Sequence, residues 1–358
     1  MDAFVAVVVF LVFAFTFING FHDGCNVVAT IIASRSMSPD KALFWASISE
    51  FMGAMLLGTA VATTIGKGII SPEAFPPNSP VPILLILSGI TCAIVWDLIT
   101  WLFGLPSSSS HALIGGLTGG GLGAFGFSVI NWNILFYKVI VVMFVTPIIG
   151  MAAGYLLTRM SFTLLADCHP RINNWIKRIQ FLSMCFLGAS HGTNDAQKSM
   201  GLIALILAGY GVIGHFFIPW WVMFGCALSI SLGVSSGGWR LIRTVGFRIF
   251  KLEPIHSLNA QMAAGGIIYL SALFGSPVST SQIMSSSVMG VGAAHKFKEV
   301  RWIVARDILL AWLITIPVVC VGAVLFYWAL ASVLHVPQSS FHDLLKWMRH
   351  VAGGIYVF

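Results

Sequence analysis

Long uninterrupted apolar stretches are the feature that most restricts how this chain can fold. Each is long enough to cross a lipid bilayer as an α-helix or, in the shorter cases, to cross half of one. They cover residues 3–33, 42–65, 82–103, 107–130, 134–158, 179–210, 213–235, 260–275, 277–294 and 302–330. Runs this long and uniformly apolar exclude the alternating strands of an outer-membrane barrel. The sequence therefore predicts an all-α polytopic membrane protein.

The charged residues agree with this interpretation. Only 9% of the chain is charged and 58% is hydrophobic, whereas a soluble domain carries roughly 25% charged residues. The net charge of +7 is not a nucleic-acid signal, because Lys and Arg cluster in the segments between apolar stretches, as cytoplasmic loops require. The six cysteines have no close paired spacing and predict neither a disulfide framework nor a metal site. No cofactor is expected, and the membrane is predicted to be a bacterial-type inner membrane.

Two polar motifs interrupt the apolar stretches, and each occurs twice. They are NGFHDGCN at 19–26, SHGTNDAQK at 190–198, GLPSSSSH at 104–111 and GSPVSTSQ at 275–282. The interval from Asp23 to Asp195 differs by a single position from the interval between Pro106 and Pro277. Two unrelated motifs that recur at nearly the same interval indicate an internal duplication.

The distribution of basic residues predicts the orientation of the two copies. If the N-terminus is outside and each half crosses the membrane an odd number of times, 14 of the 19 Lys and Arg residues lie on the inside. The halves, 1–160 and 161–330, are then inverted-topology repeats, followed by a tail at 331–358. Both termini are predicted outside, as is a Pro-rich turn near 66–82.

The same parity allows the segments at 82–128 and 260–294 to be re-entrant hairpins that enter from opposite faces, and we predict that they are. Their tips would be Pro106–Ser110 and Pro277–Ser281. Inverted repeats with broken helices commonly place a substrate site at the repeat interface near the bilayer midplane. This architecture is typical of a secondary transporter.

Ionisable residues at membrane depth mark the candidate site, since each costs about 2.5–3.5 kcal/mol on insertion scales. They are His22, Asp23, Glu50, Asp97, His111, His191, Asp195 and Lys198. Asp23 and Asp195 lie within duplicated Gly/Asn-rich segments that we interpret as helix breaks. For Asp97, a structural pairing is as good an interpretation as a functional one.

The hairpin tips suit an oxyanion. With Pro106 and Pro277 at the first helical position, the following backbone N–H groups and hydroxyls are donors at the positive end of a helix. The predicted substrate-binding residues are Asn26, Ser107, Ser108, Ser109, Ser110, Asn194, Gln197, Lys198, Ser279, Thr280 and Ser281.

The two aspartates would repel an anion unless a cation or proton binds first. That linkage is what a symporter needs. The predicted coupling residues are His22, Asp23, Glu50 and Asp195, and sodium at the two aspartates is the alternative to protons.

Two other patterns do not change this interpretation. The GxSxG match at 188–192 lies in an apolar helix rather than in a strand–turn–helix, so a hydrolase is not indicated. The spacing of Gly115, Gly119 and Gly123 predicts a close helix-packing face. The chain is not expected to be an enzyme.

At these motifs the chain resembles the inorganic phosphate transporter (PiT) family. The resemblance runs through both halves and rests on 19–23, 26–30, 190–198, the two Pro-Ser tips, 237–240 and 244–246. It implies symport of inorganic phosphate with sodium or protons through two inverted repeats, often in a homodimer. It also implies that the aspartate motifs and the tips form the substrate and cation sites.

The chain departs from the family pattern at several positions. His22 precedes Asp23 where sodium-coupled members generally carry Asn, and this titratable imidazole favours proton coupling. A structural histidine that only donates and accepts hydrogen bonds is the alternative interpretation. The second tip carries Gln282 where the family usually has His, whereas the first keeps His111. Glu50 has no acidic counterpart, since the equivalent position falls near Trp221.

Proton-coupled phosphate import is the function that the sequence favours. The alternatives are a permease for sulfate, arsenate or a metal–phosphate complex, and, from another class, a membrane enzyme acting on phosphorylated lipid.

Overall fold

A computed structural model describes residues 3–68 and 81–335, and within those ranges every regular element is a helix. The expected Pro-rich turn and most of the tail at 331–358 fall outside the described residues. The helices are α1 (Ala3–Asp23), α2 (Cys25–Ala33), α3 (Pro39–Leu56), α4 (Ala60–Gly68), α5 (Val81–Phe103), α6 (Ser109–Phe125), α7 (Trp132–Ile134), α8 (Val141–Leu164), α9 (Ile172–Gly209), α10 (Trp220–Ser236), α11 (Trp239–Arg243), α12 (Pro254–Leu273), α13 (Thr280–Lys296) and α14 (Trp302–Val333). A π-helical segment, Leu135–Ile140, joins α7 to α8, and another, Thr244–Arg248, follows α11.

The helices are those of a multi-pass membrane protein. Five continuous helices are long and apolar enough to cross a bilayer, and seven if each of two bent pairs is one span. Large apolar side chains such as Phe10 and Leu156 are exposed on the outer surface, which suits lipid as the solvent. The prediction of an all-α polytopic membrane protein is confirmed.

The order of helices repeats along the chain. Each half contains a long helix, a bent helix pair, a helical hairpin, a short 3₁₀ turn and a second long helix. Helices α6 and α13 both have 17 residues, and they begin at matching positions of the two tip motifs, Ser109 and Thr280. The turn that follows each is closed in the same way, by an indole donating to a carbonyl five residues earlier: Trp132 to Phe127 O and Trp302 to Phe297 O. The duplication read from two motifs thus extends to whole elements.

Packing between the halves is reciprocal. Helix α3 packs on α9 as α10 packs on α1, and α8 packs on α13 as α14 packs on α6. Glycines allow the first two contacts, because a Cβ at Gly192 would lie 2.2 Å from Glu50 O and one at Gly20 would lie 2.2 Å from Ile230 O. The counterpart of Glu50 is therefore Ile230, not the region of Trp221. A longer loop after α9 shifts the register.

Two helices are broken, as predicted, but not where the sequence suggested. The bends lie between α3 and α4, at 72°, and between α10 and α11, at 61°. The motif at 190–198 lies inside the unbroken α9. At the first motif, Gly24 keeps a helical φ of −58° and its N–H donates to Gly20 O. The glycines of the two motifs do not end their helices. Gly20 and Gly24 allow close contact with α10, and Gly192 allows close contact with α3.

Both hairpin tips are built alike. Gly104 (φ 66°) follows α5 and Gly275 (φ 64°) lies two residues after α12, both in left-handed conformations that glycine adopts without steric cost. The N-caps of the following helices are Ser108 and Ser279, whose hydroxyls accept from the N–H groups of His111 and Gln282. The expectation that proline occupies the first helical position is wrong, because these serine caps start each helix after the proline.

Gly115, Gly119 and Gly123 form a packing face, as predicted. A Cβ at Gly119 would lie 2.2 Å from Cys320 O, so the face is filled by α14 of the same chain. A Cβ at Gly115 or Gly123 would also meet α14, so the first hairpin packs tightly against that helix.

Candidate functional site

The two hairpin tips meet in the interior. We call residues 104–110 tip 1 and 275–281 tip 2. Ser110 of tip 1 donates to Val278 O of tip 2 at 3.1 Å. Trp312 of α14 donates to Pro106 O at 2.9 Å and anchors tip 1 from behind. The first turns of α6 and α13 are therefore close together, and each has backbone N–H groups without helical acceptors.

Asp23 links both tips to α1. Its carboxylate accepts a hydrogen bond from Ser109 of tip 1 at 2.7 Å and from Ser281 of tip 2 at 2.5 Å. His22 Nδ1 lies 2.9 Å from the same carboxylate. Beside it, the amide of Asn26 donates to Ser281 Oγ at 3.0 Å. Four predicted site residues are thus brought together around one carboxylate.

Asp195 occupies the corresponding place on α9. Thr280 of tip 2 donates to its Oδ2 at 3.5 Å, and His191 Nε2 lies 3.6 Å from the same oxygen. Asn19, in the amide orientation whose nitrogen faces the acids, donates to Asp195 at 3.1 Å and to Asp23 at 3.2 Å. One amide therefore bridges the two carboxylates. Asn19 was not among the predicted site residues, although it precedes His191 by the interval that separates the two aspartates and so belongs to the duplicated motif.

Lys198 is buried, with 1% of its side chain exposed. Its ammonium donates to Asp195 Oδ1 at 2.7 Å, to Val278 O at 3.2 Å and to Ser110 Oγ. These three acceptors use all three N–H bonds of the ammonium. Lys198 therefore neutralises Asp195 and ties α9 to both tips.

His22 connects Asp23 to the base of tip 1. Its Nε2 lies 3.1 Å from Thr100 Oγ1 and 3.5 Å from Ser107 Oγ, and those two hydroxyls are 2.8 Å apart. Thr100 was not among the predicted site residues. A helical threonine carries no sequence signal that distinguishes it from a residue that only packs. The chain of polar groups gives the imidazole a partner on each nitrogen.

Glu50 lies against His191 on the other side of Asp195. The carboxylate oxygen and His191 Nδ1 are 3.1 Å apart, but the contact lacks hydrogen-bond alignment, and both Glu50 oxygens have no hydrogen-bond partner in the described chain. Both side chains are buried. At 3.1 Å the two groups are in electrostatic contact whatever the angle between them. The predicted coupling residue is thus connected to Asp195 through His191.

Two predicted substrate residues lie at the edge of this cluster. Gln197 accepts from the N–H of Val61 at 2.8 Å and donates to Gly58 O at 2.6 Å, so its amide closes the bend between α3 and α4. Asn194 donates to Ser276 O at 3.4 Å, and its side-chain oxygen has no partner among the described residues. Ser108 and Ser279 are the helix caps described above. Their proposed contacts with substrate stay predictions.

Asp97 of α5 is buried, and neither of its carboxylate oxygens has a hydrogen-bond partner within residues 3–68 and 81–335. His22 and Ser109 are the groups that interact favourably with its carboxylate by electrostatics, and the choice between a structural and a functional role for Asp97 stays a prediction.

The cluster combines oxyanion donors with acids that must be neutralised. Hydroxyl groups from two opposed helix starts converge on Asp23, and its tip donors are the groups that would suit a tetrahedral anion. The site side chains are buried, so the described arrangement is closed to water. Charges interact strongly in a buried site of low dielectric constant, so the binding of one ion changes the binding energy of a second ion.

The chain is similar to known proteins along most of its length. The model of the phosphate transporter family matches residues 19–167 and 162–323. A probable low-affinity inorganic phosphate transporter of Bacillus subtilis (strain 168) is 39% identical over 324 residues, which cover 89% of this chain and 95% of the relative. Its counterpart in Rhizobium meliloti (strain 1021) is also 39% identical, over 88% of this chain and 93% of the relative. A solved structure described as the sodium-dependent phosphate transporter superposes with a TM-score of 0.80 at 25% identity, covering 92% of this chain and 99% of the other.

Proposed function

The chain belongs to the phosphate transporter family, and from that premise we propose that it imports inorganic phosphate by symport with a cation, the proton being favoured over sodium. The observation that carries this proposal is the convergence of Ser109 and Ser281, one from each tip, on Asp23. A single carboxylate accepts hydrogen bonds from hydroxyl groups of both hairpins. The state of that carboxylate therefore decides whether those donors are available to another oxyanion.

Phosphate would bind between the starts of α6 and α13. It would replace the Asp23 carboxylate as the acceptor for the hydroxyls of Ser109 and Ser281. It would also accept from the N–H groups of the first helical turns. Neutralising Asp23 weakens its hold on the hydroxyls and removes its repulsion of the anion. Cation binding and phosphate binding are thereby linked.

His22 favours the proton as that cation. Its imidazole contacts Asp23 on one side and Thr100 on the other, so a proton can be held on or passed along this chain of groups. Glu50 and Asp195 share His191 in a similar way. The solved neighbour is described as sodium-dependent, so sodium is the competing coupling ion.

The two halves would serve as inverted repeats, 1–160 and 161–330, that rock about the site. The repeated order of helices and their reciprocal packing support this arrangement. It places both termini outside the inner membrane. A homodimer, which the resemblance implies, stays a prediction.

Orientation can be tested with the native thiols. Cys168, in the loop after α8, is exposed, whereas the other five cysteines are buried or half-buried. A membrane-impermeant maleimide is expected to label Cys168 only in inside-out vesicles. In a Cys168→Ser background, Gly214→Cys, in the open loop after α9, should react only from the opposite face. Labelling of both sites from one face would show that α9 does not cross the membrane, and labelling of Cys168 from outside would contradict the predicted orientation of the second half.

Transport is tested in proteoliposomes with labelled phosphate, driven separately by a pH gradient and by a sodium gradient. We expect accumulation with the pH gradient, loss of accumulation in Asp23→Asn, and no change in Asp40→Asn, an exposed aspartate on α3. Competition by sulfate and arsenate, and omission of magnesium and calcium, define the substrate. Full accumulation by Asp23→Asn would refute the coupling role, and uptake driven only by sodium would reassign the ion.

A further inference from the structure

The shell around the Lys198 ammonium consists of oxygen atoms from three separate parts of the fold. Asp195 on α9 supplies a carboxylate at 2.7 Å, tip 1 supplies the hydroxyl of Ser110, and tip 2 supplies the carbonyl of Val278 at 3.2 Å. Carboxylate, hydroxyl and backbone carbonyl are the ligands that hard metal cations prefer in proteins. The ammonium thus lies where a free cation would find its ligands.

The pseudo-equivalent position in the first half carries no charge. Asn26 precedes Lys198 by the same interval that separates Asp23 from Asp195, and its amide donates to Ser281 of tip 2 as Lys198 donates to Ser110 of tip 1. Ser110 and Ser281 are themselves equivalent, since the interval between them equals that between the two tip prolines. The corresponding contacts between a helix of one half and a tip of the other are therefore made by an amide at Asn26 and by an ammonium at Lys198.

We infer that the Lys198 ammonium is a covalently tethered substitute for a monovalent cation, occupying a site formed by Asp195, Ser110 and Val278. This inference rests on the proposed function and deepens it, because it assigns the free coupling cation to Asp23 alone. The acid on α9 keeps its cation permanently. Replacing Lys198 by the residue of the other half, Asn, removes the tethered charge and leaves the oxygen ligands in place.

The test compares purified wild-type protein with Lys198→Asn in sodium chloride and in choline chloride. We expect wild type to melt at the same temperature in both salts and to bind no radioactive sodium at the Asp195 site. Lys198→Asn should melt lower in choline, recover as sodium is added, and bind sodium. Its phosphate uptake should rise about tenfold with sodium, which corresponds to ~1.4 kcal/mol.

Two further variants isolate the vacated site. Lys296 makes an ion pair of the same i,i+3 spacing with Glu299, at 2.8 Å, but on the surface, so Lys296→Asn should behave as wild type. Lys198→Met fills the space without an oxygen ligand and should not respond to sodium. A sodium response of Lys198→Met equal to that of Lys198→Asn would overturn the assignment.

The remaining outcomes also decide the matter. Equal melting of Lys198→Asn in both salts without bound sodium overturns the proposal, as does failure of this variant to fold in sodium. Melting and sodium binding require no phosphate. Absence of phosphate uptake by wild type would therefore count against the proposed function. The melting temperatures and the sodium binding would still decide whether Lys198 replaces a cation.

Discussion

The buried ion pair between Asp195 and Lys198 gives the sharpest stability prediction. Both side chains are at most 1% exposed, and their charged atoms are 2.7 Å apart. Removing one partner of a buried pair leaves an uncompensated charge and costs about 3–5 kcal/mol, whereas removing both is often close to neutral. Single and double variants should therefore differ sharply.

The remaining contacts set where each variant falls in that range. In Lys198→Met, Asp195 keeps donors from Asn19 and Thr280, so the cost should lie near the lower end, about 3 kcal/mol. In Asp195→Asn, the ammonium keeps only uncharged acceptors, Ser110 and Val278 O. This variant should approach the upper end, about 5 kcal/mol.

The double variant Asp195→Asn/Lys198→Met should recover most of the loss. We expect a coupling energy of at least about 2 kcal/mol, from thermal unfolding of detergent-solubilised protein in choline chloride. The exposed pair Lys296–Glu299 serves as control. The corresponding double variant Glu299→Gln/Lys296→Met should leave the melting temperature unchanged. Additive effects at Asp195 and Lys198 would show that the two groups do not form a charged pair.

Three further variants probe the packing and the tips. Gly192→Ala drives a methyl group into Glu50 O and should cost about 1–3 kcal/mol in thermal unfolding; Gly266→Ala, in open space on α12, should not, and equal losses would disprove the close contact. Trp312→Phe leaves Pro106 O without its donor and should cost about 1–3 kcal/mol, with slower phosphate uptake; unchanged uptake would show that tip 1 needs no anchor. Asp97→Asn removes a buried acid without a hydrogen-bond partner among the described residues and should melt at or above the wild-type temperature, and a clear decrease would reveal a partner for the carboxylate.

The repeat interval is the part of the fold that the sequence predicted best. A nearly constant interval between the motifs placed Asp23 and Asp195, and the two tips, in corresponding positions, and the structure brings them into contact. This worked because the paired motifs are polar and rare in an apolar chain. Intervals between apolar segments carry no such signal, so the counterpart of Glu50 was misplaced by the longer loop after α9.

The helix breaks could not be predicted from composition. Gly192 and Asn194 suggest an interruption by propensity, but α9 continues through them because Gly192 lets α3 approach closely. The position of Gln197 could not be predicted either, because its contact with the N–H of Val61 depends on a bend in a distant part of the sequence. Local sequence cannot distinguish a glycine that ends a helix from one that admits a neighbour.

The two repeats diverge at the candidate site. Duplication by itself would make Asp23 and Asp195 equivalent, with each acid close to the starts of α6 and α13. The pair His22–Asp23 against Lys198–Asp195 breaks that equivalence. The Lys198 ammonium is held beside Asp195 by covalent attachment, whereas a histidine imidazole is a group that changes charge near neutral pH. Under the proposed symport, the Lys198 ammonium keeps Asp195 paired throughout the cycle. We therefore expect loading and release of the coupling cation to run through Asp23.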